Sequence, residues 1–94
     1  MAVQKVALVT GAGTGIGKAA ALALAKDGYA VVLAGRRLDK LEETAKEAGN
    51  AKTLAVATDV AEVESIRALF ARVKKEIGRL DVLFNNAGIR SEEH

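Results

Sequence analysis

The stretch Thr10-Gly-Ala-Gly-Thr-Gly-Ile-Gly17 is where residue type and spacing first suggest chemistry in this 94-residue sequence. It lies between an apolar run and an alanine-rich segment, the strand-turn-helix context that a phosphate-holding loop requires. A phosphate loop anchored on Gly17-Lys18 needs glycine at position 12 and a hydroxyl at position 19, and both are alanine. The spacing G-x-G-x-x-G from Gly11 needs glycine at 16, where Ile16 stands. The spacing T-G-x-x-x-G-x-G fits fully, on Thr10, Gly11, Gly15 and Gly17. Gly11 lets the chain leave the strand in a turn that a side chain would hinder. Gly15 keeps Cβ atoms away where the backbone meets a pyrophosphate, and Gly17 lets the helix press against the strand. The helix N-terminus then offers free N–H groups and its positive dipole end to phosphates. The whole turn, Gly11, Gly13, Thr14, Gly15, Ile16 and Gly17, is therefore assigned to a phosphate-bearing ligand.

The surrounding pattern supplies the elements that must hold this loop. Residues 6–9 form a short continuous apolar run, as expected of a parallel strand buried on both faces. A helix over 16–26 stops at Asp27-Gly28, and residues 30–34 form a second buried strand. From Leu38 the period is helical, with Leu38, Leu41, Ala45 and Ala48 on one face, until Gly49-Asn50 ends it. A third strand covers 53–57. Val63, Ile66, Leu69, Phe70, Val73 and Ile77 form the stripe of a longer helix that Gly78 stops, and 80–85 is the fourth strand. Strands separated by single helices run parallel with right-handed crossovers. The expected fold is α/β: a Rossmann-type doubly wound parallel sheet, four strands in order 3-2-1-4 with three helices. Its switch point lies between strands 1 and 4, where the loops after Val9 and Phe84 meet.

Composition allows one domain, spanning residues 1–94. Half the residues are hydrophobic, and only Tyr29, Phe70 and Phe84 are aromatic, so the apolar mass suits close helix-on-sheet packing. Charged residues make up 28%, too regular a mixture for a disordered chain. The absence of cysteine excludes disulfides and thiolate metal sites and fits a reducing compartment. Met1 leads into a strand-like run rather than a signal peptide, and no apolar run approaches the ~20 residues of a membrane span. A net charge of +2 with interleaved signs gives no nucleic-acid surface. The expectation is a cytoplasmic protein with no metal, no nucleic-acid partner and no membrane partner.

With the glycine spacing in its frame, the sequence resembles the classical short-chain dehydrogenase/reductase family. Asn85-Asn-Ala-Gly88 after strand 4 matches that family's second signature, and the resemblance covers residues 5–89. It implies that the pair Asn85 and Asn86 ties the central strands. It further implies that the backbone of Ala87 and Gly88 lies against the adenosine-side ribose. Asp59-Val60 matches the family pair that holds the adenine, with the Asp59 carboxylate accepting from the exocyclic amine. A plain helix N-cap at Asp59 is the alternative, and both roles are compatible.

The second strand bears on which nicotinamide cofactor is bound. A site for NAD places an acid at the end of that strand, about 20 residues past the glycines, for the ribose 2′-hydroxyl. Here the position is Gly35, followed by Arg36 and Arg37. A guanidinium grips a 2′-phosphate that a carboxylate would repel. The sequence thus resembles the family's NADP-preferring members, with Arg36 as principal clamp, though Thr14 stands where some of them carry a basic residue. NADP(H) is the expected cofactor over NAD(H).

The family's catalytic serine and Tyr-x-x-x-Lys pair are matched nowhere. Tyr29 is the only tyrosine, with Leu33 four positions on, and it is assigned to packing; His94 is terminal. No residue here is assigned to catalysis. Three readings stand: the NADP(H)-binding portion of a dehydrogenase, inactive alone, which is the reading adopted; a non-catalytic dinucleotide-binding or structural module; and an enzyme completed by a partner chain. Strand 4 is expected to be an open edge, with two strands' worth of Val and Leu bare on the side of the third helix. A homodimer or higher oligomer through strand 4 or that bare face follows.

Overall fold

The computed structural model describes residues 4–86. The elements alternate without exception: β1 (Val6–Thr10), α1 (Gly15–Lys26), β2 (Ala30–Gly35), α2 (Leu38–Glu47), β3 (Thr53–Ala57), α3 (Val63–Glu76) and β4 (Val82–Phe84). The four strands make one parallel sheet in the order β3-β2-β1-β4. This is the expected Rossmann-type arrangement, with β1 and β4 adjacent at the switch point. Pairing runs from Val6↔Ala30 to Thr10↔Ala34 between β1 and β2, and from Ala7↔Val82 to Val9↔Phe84 between β1 and β4.

The side-chain alternation of β1 divides the core. Val6 and Leu8 point to one face, where Val32, Ala34 and Val56 join them beneath Leu69 and Val73 of α3. Val9 points to the other, with Val31 and Leu33 beneath Ala21 of α1 and Leu41 of α2. Burial on both sides is why these strands read as unbroken apolar runs. Alanine dominates α1, combining high helix propensity with the short reach that lets the helix lie close to the sheet. Helix α1 ends at Asp27, and Gly28 turns the chain back with φ +96°.

Several expectations need correction. Strand 4 is shorter than 80–85: Asp81 hydrogen-bonds the start of β1 and Asn85 turns to Thr10, leaving three residues in the ladder. Leu38 and Val63, assigned to buried stripes, are exposed at 43% and 61%; each is the first residue of its helix. Phe70 is also exposed, lying on the flank of a stripe centred on Leu69 and Val73. The predicted bare face is covered as well. Val6, Leu8, Val32 and Ala34 are at most 2% exposed, because the Leu69–Val73 stripe lies over the middle of the sheet. What stays open on this side is a strip along β4, where Leu83 is 52% exposed. Among the described residues no helix is long and apolar enough to cross a membrane, and no group of acids and histidine is placed to hold a metal ion.

Candidate functional site

The assigned residues gather at the carboxyl ends of the strands. From β1 the chain enters the glycine turn at Gly11, whose φ of +64° is the left-handed value that glycine adopts freely. Ala12 N–H still donates to the Ala34 carbonyl at 3.1 Å, so the ladder with β2 continues one step into the loop. The Thr14 backbone is extended (φ −148°, ψ 162°) and caps α1 without a side-chain hydrogen bond, and the first turn of the helix carries no acid. The first-turn amides and the positive end of the helix dipole are therefore available to an anion. Ile16 stands out from this turn, largely exposed.

Two glycines matter for different reasons. A Cβ on Gly15 would meet nothing within 4 Å, yet its φ of +58° disfavours any side chain. A Cβ on Gly17 would lie 2.0 Å from the Gly11 carbonyl oxygen and 3.1 Å from Nδ2 of Asn86. Gly17 thus brings the helix onto the turn itself and onto the loop after β4, a closer contact than the helix-on-strand packing expected for it.

That second loop is stapled to the first through one hydroxyl. Asn86 N–H donates to Thr10 Oγ1 at 2.8 Å, and Thr10 Oγ1 donates in turn to Asn85 Oδ1 at 3.1 Å. The asparagine pair therefore joins the ends of β1 and β4. Ala87 and Gly88, as well as His94, lie outside the described residues.

On the β2 side, the chain turns away from the sheet at Gly35, and the two arginines diverge. The Arg37 guanidinium hydrogen-bonds Asp39 at 3.0 Å, which holds the Asp39 carboxyl below its usual range. Arg36 reaches instead toward the loop after β3, where its Nε lies 3.8 Å from Asp59 Oδ1. The two loops meet because Thr58 N–H donates to the Gly35 carbonyl at 2.6 Å, one step beyond the Gly35↔Ala57 pair. Asp59 does not cap α3, whose N-cap is Glu62. Its Oδ1 accepts from Ala61 N–H at 3.0 Å and its own N–H donates to Ser65 Oγ at 2.8 Å, which fixes a turn ahead of the helix. Val60 is half-buried in that turn.

Sequence reasoning missed the support that α2 gives the glycine turn. Thr44, 1% exposed, donates from Oγ1 to the Ala12 carbonyl at 3.0 Å. A Cβ on Gly13 would come within 2.8 Å of Lys40 Cβ, so Gly13 is where α2 presses on the loop. The available signal was a threonine three residues after Leu41, on the apolar stripe of a helix.

The order of elements, the switch point and the glycine turn can be compared with known proteins. The family profile described as short chain dehydrogenase matches residues 5–94. The chain belongs to the short-chain dehydrogenase family. A relative named as an uncharacterized oxidoreductase of Staphylococcus aureus (strain MRSA252) is 43% identical over 85 residues, which are 90% of this chain and 37% of that protein. The L-sorbose reductase of Gluconobacter frateurii, solved with NADPH and L-sorbose, superposes with a TM-score of 0.88 at 40% identity over 97% of this chain and 36% of that one. An alcohol dehydrogenase from the archaeon Thermococcus sibiricus, solved with 5-hydroxy-NADP, gives 0.83 at 39% identity over 86% of this chain and 36% of that one. The chain therefore spans little more than a third of the length of these short-chain dehydrogenase relatives.

Proposed function

We propose that this chain provides the NADP(H)-binding portion of an oxidoreductase that moves hydride between NADP(H) and an alcohol or carbonyl substrate. The observation that carries this reading is the glycine turn, where a Cβ on Gly17 would strike the Gly11 carbonyl while the α1 N-terminus has no side-chain capping hydrogen bond and no acid in its first turn. Such a cradle fits a pyrophosphate. Gly11, Gly13, Thr14, Gly15, Ile16 and Gly17 line it. Arg36 and Arg37 stand where a 2′-phosphate would bind, with no acid at Gly35 to repel it. Asp59 and Val60 flank the adenine, Asn85 and Asn86 tie the central strands beside the cofactor, and the Ala87 and Gly88 backbone takes the adenosine-side ribose. The nicotinamide, when bound, supplies the hydride chemistry. The residues of this chain hold and orient the dinucleotide. The NADPH and 5-hydroxy-NADP bound to the two solved relatives support the choice of phosphorylated cofactor.

Equilibrium titration tests the cofactor. Wild type is expected to bind NADPH more tightly than NADH at low salt, and Arg36→Asp combined with Arg37→Ala to reverse the order. Equal wild-type affinity for both cofactors would overturn the reading.

The same reading extends to assembly in the cytoplasm. Leu83 on β4 is 52% exposed, on a strand that, among the described residues, pairs only with β1. A second copy pairing through β4 covers it. Sedimentation of a compact monomer at micromolar concentration would count against this.

A further inference from the structure

Asp59 touches Arg36 in a way that the adenine role does not use. The carboxylate is the fixed partner: Ala61 N–H holds its Oδ1 at 3.0 Å, and Ser65 Oγ accepts its backbone N–H at 2.8 Å. Arg36 is the more exposed partner, its side chain 74% exposed, with Nε 3.8 Å from the same Oδ1. Among the described residues no other acid pairs with Arg36, while Arg37 is drawn off by Asp39. An anion that binds Arg36 therefore meets a guanidinium already facing a negative charge. A dianionic 2′-phosphate at that guanidinium also lies within range of the carboxylate, where like charges repel.

From this geometry we infer that Asp59 is the resident counter-ion of Arg36, which a 2′-phosphate must displace, so that it lowers the discrimination between phosphorylated and unphosphorylated cofactor. The inference rests on the reading of Arg36 as the 2′-phosphate contact. It makes Asp59 a specificity-determining residue that works against the preference Arg36 creates. The two roles of Asp59 have opposite signs. Loss of an amine acceptor weakens every adenine ligand alike, whereas loss of a counter-ion strengthens only ligands that carry the 2′-phosphate.

The experiment is calorimetric titration of the full chain with adenosine 2′,5′-bisphosphate and with 5′-AMP. The ratio of the two affinities cancels adenine contacts and isolates the 2′-phosphate. Asp59→Asn keeps an oxygen for Ala61 N–H and removes the charge. The ratio is expected to rise roughly two- to fivefold at low ionic strength, the range of exposed ion pairs, and to shrink with added salt. Asp59→Ser, which keeps a turn-forming oxygen, should give the same rise. In an Arg36→Met background the rise should disappear. A wild-type ratio of one overturns the parent reading and this inference with it. A wild-type ratio above one that both Asp59 variants leave unchanged or reduce overturns the inference alone. So does a rise of equal size in the Arg36→Met background, which would place the repulsion directly between carboxylate and phosphate.

Discussion

Replacing Gly17 with alanine tests whether the turn and α1 are as tightly seated as the geometry indicates. The new Cβ would lie 2.0 Å from the Gly11 carbonyl oxygen and 2.6 Å from its carbon, whereas real Cβ contacts essentially never fall under 3.0 Å. Helix or turn must therefore retreat by roughly 1 Å, and neither the Gly11 backbone nor the close-packed sheet below can swing aside as a side chain would. Overpacking of this kind costs typically ~1–3 kcal/mol, and a rigid backbone neighbour puts Gly17→Ala near the upper end. In a domain of this size that corresponds to a fall in Tm of the order of 15 °C. Gly15→Ala is the control, because its Cβ meets nothing and only the φ of +58° resists it. A left-handed non-glycine residue costs about 1–2 kcal/mol, partly offset by ~0.4–1 kcal/mol of lost unfolded-state entropy. Thermal unfolding followed by far-UV circular dichroism, with urea midpoints as a check, should therefore place Gly17→Ala well below Gly15→Ala. Equal melting temperatures, or the reverse order, would refute the steric argument.

Two further outcomes follow from the hydrogen bonds. Thr44→Val keeps the shape of the side chain but leaves the Ala12 carbonyl without the Thr44 hydroxyl; urea unfolding should show a loss of about 1–3 kcal/mol, and cofactor affinity should fall as the turn loosens. Asp81 accepts from the Arg79 guanidinium and from Val6 N–H, and both, Arg79 foremost, hold its carboxyl below the usual range. A lowered folded-state pKa contributes stability above the unfolded value of about 3.9, and that contribution is lost as pH falls through the folded value. Asp81→Asn should therefore melt below wild type near neutral pH, with the gap closing on acidification; a gap that stays constant with pH would rule out the carboxylate as its source.

The sheet order was legible because the central strands β1 and β2 are buried on both faces, so Val6-Ala-Leu-Val9 and Ala30-Val-Val-Leu-Ala34 appear as unbroken runs with a glycine-marked helix between them. The glycine turn was legible because its spacing encodes local backbone conformation. Helix margins were less so. Periodicity identifies the inward direction of a helix but not where along it burial begins, which is why Leu38 and Val63 read as core yet are exposed at the helix starts. The grip of Thr44 on Ala12 spans 32 residues, and the approach of Arg36 to Asp59 depends on the register of β2 against β3. Neither is carried by any local pattern.

Strand β4 is held at both ends by contacts from far along the chain, Asp81 on Val6 N–H and Thr10 Oγ1 on Asn86 N–H among them, 75 and 76 residues apart in sequence. The register of β1 on β2 begins at Val6↔Ala30, a much shorter closure. Loop-closure entropy grows with the logarithm of length, about 0.6 kcal/mol for each doubling, so β4 docks at a disadvantage of roughly 1 kcal/mol relative to β2. With three ladder residues to offset it, β4 is expected to dock after β2. The glycine turn and its helix can therefore form on the β1–β2 pair first, and the asparagine wall of the site closes over a cradle that already exists.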